Sequence, residues 1–406
     1  MKKLLSLVLA VTMTWCLAAC GGNNDSGNTS SDNNSTGTGT VSTEPAGNTD
    51  SDGGVITLAV VAPMTGQDAE YGKGYQIATQ IMADKWNSEG GLLGKQIELK
   101  FFDDKGSPEE AANVAEQVVA DPSITAVVGH FSSTCSMAAA PVYQEHGMLQ
   151  IAPCASHKDY TSIGDWMWRV SPLSADEAHT VSDFVTSYWE AEKVGQLVMN
   201  NDWGAGIAEN ELNYLKEINP DIEVFQEFVV EGNDDYGPII TNFLAAGVDV
   251  VICDATYTLT APFVKQLRQA SPDMRVVAHV NCAASQVIEI LGDDGDEYYC
   301  SANWSPCFTD DLTPFFMEEY AKRSDGAVPI GDTAQVFDAI SVLLQAIDNC
   351  GSTDREAIRS ELANIEYTGL TGTINFDENR ECSRNYSMVY WDVETNSWIQ
   401  NTEWNA

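Results

Sequence analysis

The sequence predicts an α/β protein of two doubly wound, Rossmann-like lobes with parallel central sheets and a ligand cleft between them. Three observations predict it. Short apolar runs alternate with longer segments of helical periodicity. The alternation restarts once, near Val194. Beyond a polar N-terminal stretch there remain roughly 350 residues, enough for two domains of ordinary size.

In the first set, Ile56–Val61, Ile97–Phe102, Ile124–Val128 and Met148–Ala152 read as strands buried on both faces. Between them Tyr71–Asn87, Pro108–Ala120 and Ser136–His146 carry apolar residues at helical spacing. Strand and helix in alternation imply parallel pairing through right-handed crossovers. The second set repeats the plan, with strands at Val194–Met199, Val224–Val230, Val248–Cys253 and Val276–Val280. Its helices are Ala205–Ile218, Pro238–Ala246, Leu259–Ala270 and Ala284–Leu291. Helices follow at Leu312–Arg323, Thr333–Asp348 and Arg355–Ala363. The chain closes with Thr371–Phe376 and Ser387–Ile399, which read as antiparallel strands. Sheets of this kind bind ligands at the carboxyl ends of their strands, so two of them share a cleft.

The N-terminus sets the compartment. Lys2 and Lys3 precede an apolar run from Leu4 to Ala19, shorter than the roughly 20 residues of a membrane span. It reads as a signal peptide, and Leu17-Ala18-Ala19-Cys20-Gly21 resembles the bacterial lipobox. That resemblance implies a lipidated (palmitate-bearing) Cys20 as the first mature residue; ordinary cleavage or a short membrane anchor is the alternative. Gly21 to Gly54 is nearly all Gly, Asn, Ser, Thr and Asp. It cannot bury enough apolar area to offset its ordering entropy and is expected to be a flexible tether.

The formal charge is −40, with 60 acidic and 20 basic residues, which makes nucleic acid an unfavourable partner. Ten cysteines are present. Setting aside Cys16 and Cys20, export permits disulfides among the rest. Cys300 with Cys307, Cys350 with Cys382 and Cys253 with Cys282 are candidate pairs, and a reduced, buried set is the alternative.

Several motifs resemble the branched-chain amino-acid binding proteins of ABC transporters, the type I periplasmic binding proteins. They are Val60-Val61-Ala62-Pro63-Met64-Thr65-Gly66 with Tyr71-Gly72, Phe102-Asp103-Asp104 with Pro108-Glu109-Glu110-Ala111-Ala112, and Val127-Val128-Gly129-His130 with Ser132-Ser133. Ile151-Ala152-Pro153 with Ala155-Ser156 continues the match, and weaker likeness runs through Lys265–Arg268 to Phe337-Asp338-Ala339. The resemblance spans the body from Val55. It implies a hinge of three chain crossings, near Ser171–Ala175, Ala302–Cys307 and Thr371–Asn375. The expected organisation is a signal peptide at 1–19, lipidated cysteine and linker at 20–54, lobe one at 55–173 with 305–370, and lobe two at 174–304 with 371–406.

Ser132, Ser133 and Thr134 lie between a buried strand and a helix, where exposed amides and hydroxyls suit a carboxylate. The resemblance places an amino acid's α-carboxylate on Ser133, Ala155 and Ser156, with Phe131 and Cys154 beside them. Helix capping alone is the other reading of these hydroxyls. Tyr71, Trp203 and Tyr257 match family aromatics that line the cleft. The family acid expected after Val276–Val280 is replaced by Ala278-His279-Val280-Asn281-Cys282, so Asn281 falls in the pocket without a carboxylate. Asp332 is the candidate to supply the missing charge, or else a helix cap.

An enzyme is not expected. There is no Gly-x-Ser-x-Gly elbow and no Gly-x-Gly-x-x-Gly at the first strand–helix turn. Cys154-x-x-His157, with Cys135 and Cys282, is the only metal-like grouping and too sparse for a structural site. The resemblance therefore implies a monomer without cofactor or metal, lipid-anchored on the outer face of the cytoplasmic membrane. It would capture an amino acid and pass it to an ABC permease. A ligand sensor feeding a signalling receptor, or a binder of a small amide or urea, is the rival; the neighbouring genes discriminate the first.

Overall fold

The computed structural model describes residues 54–404. The signal peptide, Cys20 and nearly all of the linker lie outside the described residues. No helix among the described residues is long and apolar enough to cross a membrane.

Lobe one is built on β1 (Val55–Ala62), β2 (Gln96–Asp103), β3 (Ile124–Gly129), β4 (Leu149–Ala152) and β5 (Met167–Arg169), in the order β2-β1-β3-β4-β5. All pairs are parallel. Their crossovers are α1 (Ala69–Ser88), α2 (Pro108–Ala120) and α3 (Ser133–Glu145). After Val55 every residue of β1 is buried, as befits a strand covered on both faces. Ser107 caps α2 by accepting from the Glu110 amide, with Pro108 in the first turn. Helix α1 comes so close to the strand-end loop that a Cβ on Gly72 would stand 2.2 Å from the Pro63 carbonyl oxygen. Only glycine admits that approach.

Lobe two opens with α4 (Ser174–Asp183), followed by β6 (Lys193–Met199), α5 (Asp202–Ile218), β7 (Glu223–Val229), α6 (Gly237–Ala246), β8 (Val250–Asp254), α7 (Tyr257–Ala270), β9 (Arg275–Ala278), α8 (Ser285–Leu291) and β10 (Tyr298–Ala302). The chain continues through α9 (Thr313–Arg323), α10 (Thr333–Cys350), α11 (Arg355–Leu362), β11 (Glu366–Gly369), β12 (Gly372–Asn375), β13 (Ser387–Asp392) and β14 (Ser397–Gln400). The second sheet runs β14-β13-β10-β9-β8-β6-β7, parallel except for β13 and β14. Helix α10, buried along most of its length, joins the core of lobe one.

Three sequence expectations are corrected. Strands β5 and β10 and helix α4 were not anticipated, because β5 is three residues long and α4 is rich in polar residues. The chain does not pass to lobe two at 371. Residues 372–375 pair with β11 in a separate hairpin, and the Arg380 guanidinium beyond it donates to the Met167 carbonyl at 3.2 Å, so the second sheet resumes only at Ser387. The candidate disulfides do not form. All eight body cysteines are free, and the Cys282 thiol donates instead to the Ala255 carbonyl at 3.2 Å.

Candidate functional site

The strand order reverses at β1/β3 and at β6/β8, the switch points where crossovers diverge and leave a crevice. A cavity of about 400 Å³ opens there between the lobes. From lobe one its wall includes Phe131, Ser132, Ser133, Cys154, Ser156 and Asp332; from lobe two, Trp203, Asn281, Glu177 and His279.

Eight of the eleven residues expected from sequence thus meet at one surface. Ser132 caps α3, its hydroxyl accepting from the Cys135 amide at 3.2 Å. The Ser133 and Thr134 amides therefore begin a helix with no acceptor inside it. The Ser133 hydroxyl, fully buried, accepts from the His157 amide at 3.2 Å, so its side chain ties two loops together. Tyr71, Ala155 and Tyr257 do not line the cavity. Tyr71 stacks beneath Phe131 with ring centroids 4.2 Å apart. Its hydroxyl donates to the Asn281 carbonyl at 2.9 Å and accepts from the Tyr257 amide at 3.3 Å, fastening lobe one to lobe two. Ala155 is wholly buried and offers its carbonyl to Arg169.

A carboxylate from elsewhere in the chain stands beside the strand end after β9. Glu177, on α4, accepts from the Val280 amide at 2.9 Å and stands 3.5 Å from His279 Nδ1. The other face of that imidazole meets Asp254 at 2.8 Å and Glu211 at 3.4 Å. Both carboxylates and the ring are completely buried. Burial alone would strip His279 of its proton, but Glu177, then Asp254 and Glu211, outweigh it and hold the ring's pKa well above the ordinary value. Burial, then repulsion from Asp254, pushes Glu211 up to about 8. Glu177 is pushed up by burial too, yet His279 and the hydrogen bonds from Ser301 and Val280 leave it below the usual range.

Asp332, at the start of α10, makes no capping bond; it accepts from Gln335 Nε2 at 2.9 Å. Burial, then repulsion from Glu177, lifts it to about 8. Asp68, before α1, is lifted to about 7 by burial, then Glu231, then Asp104. Among the described residues one trio, Glu211, Asp254 and His279, has ligand atoms all within 4.8 Å of one another. With both ring nitrogens facing carboxylates, it holds an imidazolium in place rather than a metal's open coordination sphere. Cys154 and His157 form no such group.

The sequence pattern of the periplasmic binding protein family matches residues 55–397. The chain belongs to that family. Proteins of this family bind solutes and are not enzymes. A leucine-, isoleucine-, valine-, threonine- and alanine-binding protein of Pseudomonas aeruginosa is 26% identical over 339 residues, covering 82% of this chain and 89% of that one. An amino acid binding protein of the same organism is 25% identical over 340 residues, with 83% and 90% covered. In structure this binding protein resembles a leucine binding protein from Thermotoga maritima, with TM-score 0.79, 23% identity and 86% and 98% of the chains covered. A solute binding protein from R. palustris in complex with benzoate superposes with TM-score 0.78 at 14% identity, covering 86% and 96%. Both structural likenesses concern the fold alone.

Sequence reasoning missed Glu177, Glu211, Asp254, Asp68 and Glu231. Asp254 had a usable signal, a carboxylate ending the apolar run Val250–Cys253. The others sit among sixty acidic residues with nothing local to mark them.

Proposed function

We propose that the protein captures an α-amino acid in the interlobe cavity and delivers it to the membrane permease of an ABC transporter. In this reading Cys20 carries the lipid that holds the body at the outer face of the cytoplasmic membrane. One observation carries the ligand class: the amide-bearing start of α3 lines the same cavity as carboxylates of both lobes, Asp332 and Glu177. Amides at a helix start suit the α-carboxylate. The acids suit the α-ammonium. The amino-acid-binding names of the relatives support the same class. Glu177 thereby takes over the task that the family assigns to an acid after the strand corresponding to β9.

Ligand contacts to both lobes favour the closed form by the difference in affinity between the two states. The test is a thermal shift of the ligand-stripped chain against the standard L-amino acids. Saturation at 100 times the dissociation constant adds about 2.7 kcal/mol of stability. No response to any α-amino acid refutes the reading. For the anchor, Cys20→Ser is expected to abolish incorporation of labelled palmitate and release the protein from the membrane fraction.

A further inference from the structure

The cavity is lopsided in charge. Six carboxylates and one imidazole line it, with no lysine or arginine. Its spare hydrogen-bonding capacity leans the same way. Asn281 Oδ1 and Gln335 Oε1, on side chains 6% and 2% exposed, are buried acceptors without a partner, and so is Asp68 Oδ1. A buried acceptor left unmet costs free energy, so these atoms call for donors from the ligand.

The acids come to the cavity from both lobes. Asp332 of lobe one and Glu177 of lobe two both line the cavity, and the charge of Glu177 raises Asp332's affinity for its proton. Asp68 of lobe one and Glu231 of lobe two, which follows β7, also line it together, and the charge of Glu231 raises Asp68's affinity for its proton. Asp104 adds to this second group but is already satisfied by His130 at 2.7 Å and the Gly106 amide at 3.0 Å. Like charges brought together by closure oppose it, unless a cation sits between them. A zwitterion with an aliphatic side chain has one cation, and so relieves one pair only.

We propose that the ligand is an α-amino acid with a second cationic nitrogen at the end of its side chain. Its α-ammonium lies between Asp332 and Glu177, and its side-chain cation between Asp68 and Glu231. This rests on the amino-acid reading above and adds the specificity. Trp203, half-buried at the cavity wall, offers a further surface for a cation. Closure on such a ligand neutralises both interlobe pairs at once, so the acid pairs select for charge while the α3 amides select for the carboxylate.

The experiment is calorimetric titration of the full, ligand-stripped chain with L-lysine, L-ornithine and L-arginine, each against L-norleucine, which has lysine's chain without the ammonium. Expected is at least tenfold tighter binding of one basic amino acid than of norleucine. The preference should weaken with salt and fall to about one in Asp68→Asn/Glu231→Gln. The exposed position of Glu231 makes Glu231→Gln alone the variant to rely on should the double variant not fold. Norleucine or leucine binding as tightly as the basic amino acids overturns this inference and leaves the amino-acid reading standing. Silence of every α-amino acid, including a case where only a diamine such as putrescine binds, overturns both.

Discussion

Each lobe buries one histidine at the end of a strand that feeds the cleft, and the two are treated differently. His130, after β3, has one carboxylate, Asp104 at 2.7 Å, and the Tyr143 hydroxyl at 3.2 Å. His279, after β9, is surrounded by Glu177, Glu211 and Asp254. The first is a closed pair. The second gathers three carboxyl groups around one imidazolium, with Glu211 pushed up to about 8, and reaches the cavity through Glu177. The contrast teaches that lobe one backs its cleft histidine with a single carboxylate while lobe two surrounds its own with three, so that charge there is held by a buried cation rather than by solvent.

Removing the central cation tests the contrast hardest. His279→Leu leaves three buried carboxylates without their partner, and such a loss costs about 3–5 kcal/mol. Urea denaturation at pH 7 is expected to show it, and a cost below 1 kcal/mol would mean that the carboxylates are already neutral. His130→Leu strands the Tyr143 hydroxyl and Asp104, which keeps its bond from the Gly106 amide, and should cost about 1–3 kcal/mol. Equal costs at the two sites would erase the distinction.

Proton linkage sharpens it. Asp332 rises from 3.8 to about 8 on folding, with Glu177, His279 and Gln335 around it. The folded chain thus holds a proton that the unfolded chain releases, and stability present below pH 4 is lost as pH rises through about 8. Asp332→Asn, neutral throughout, should melt with the parent at pH 4. At pH 8, without ligand, it should melt a few degrees higher, the response to about 1–2 kcal/mol. Glu211 follows the same sign, since it too is raised to about 8. A gap that is constant with pH would assign the effect to packing instead.

The smallest effect concerns the fastening between the lobes. Tyr71→Phe keeps the stack on Phe131 and loses the hydroxyl that bonds the Asn281 carbonyl and the Tyr257 amide. The expected loss is about 1 kcal/mol or less, read as a lower melting point with a raised ligand dissociation constant. An unchanged dissociation constant would make Tyr71 a packing residue only.

The sequence by itself determined the alternation of buried strand and amphipathic helix, since periodicity and capping are properties of neighbouring residues. It also placed Ser132 and Ser133 where a buried strand gives way to a helix, and both line the cavity. Tyr71 was expected to line the cleft; it lies beneath Phe131 instead, off the cavity wall, with its hydroxyl bonded to Asn281 and Tyr257. The carboxylate beside the end of β9 comes from α4, where Glu177 accepts from the Val280 amide across 103 positions. Asp68 and Glu231 come from opposite lobes. Only the tertiary structure decided which acids those are, because charge acts through space and leaves no periodicity along the chain.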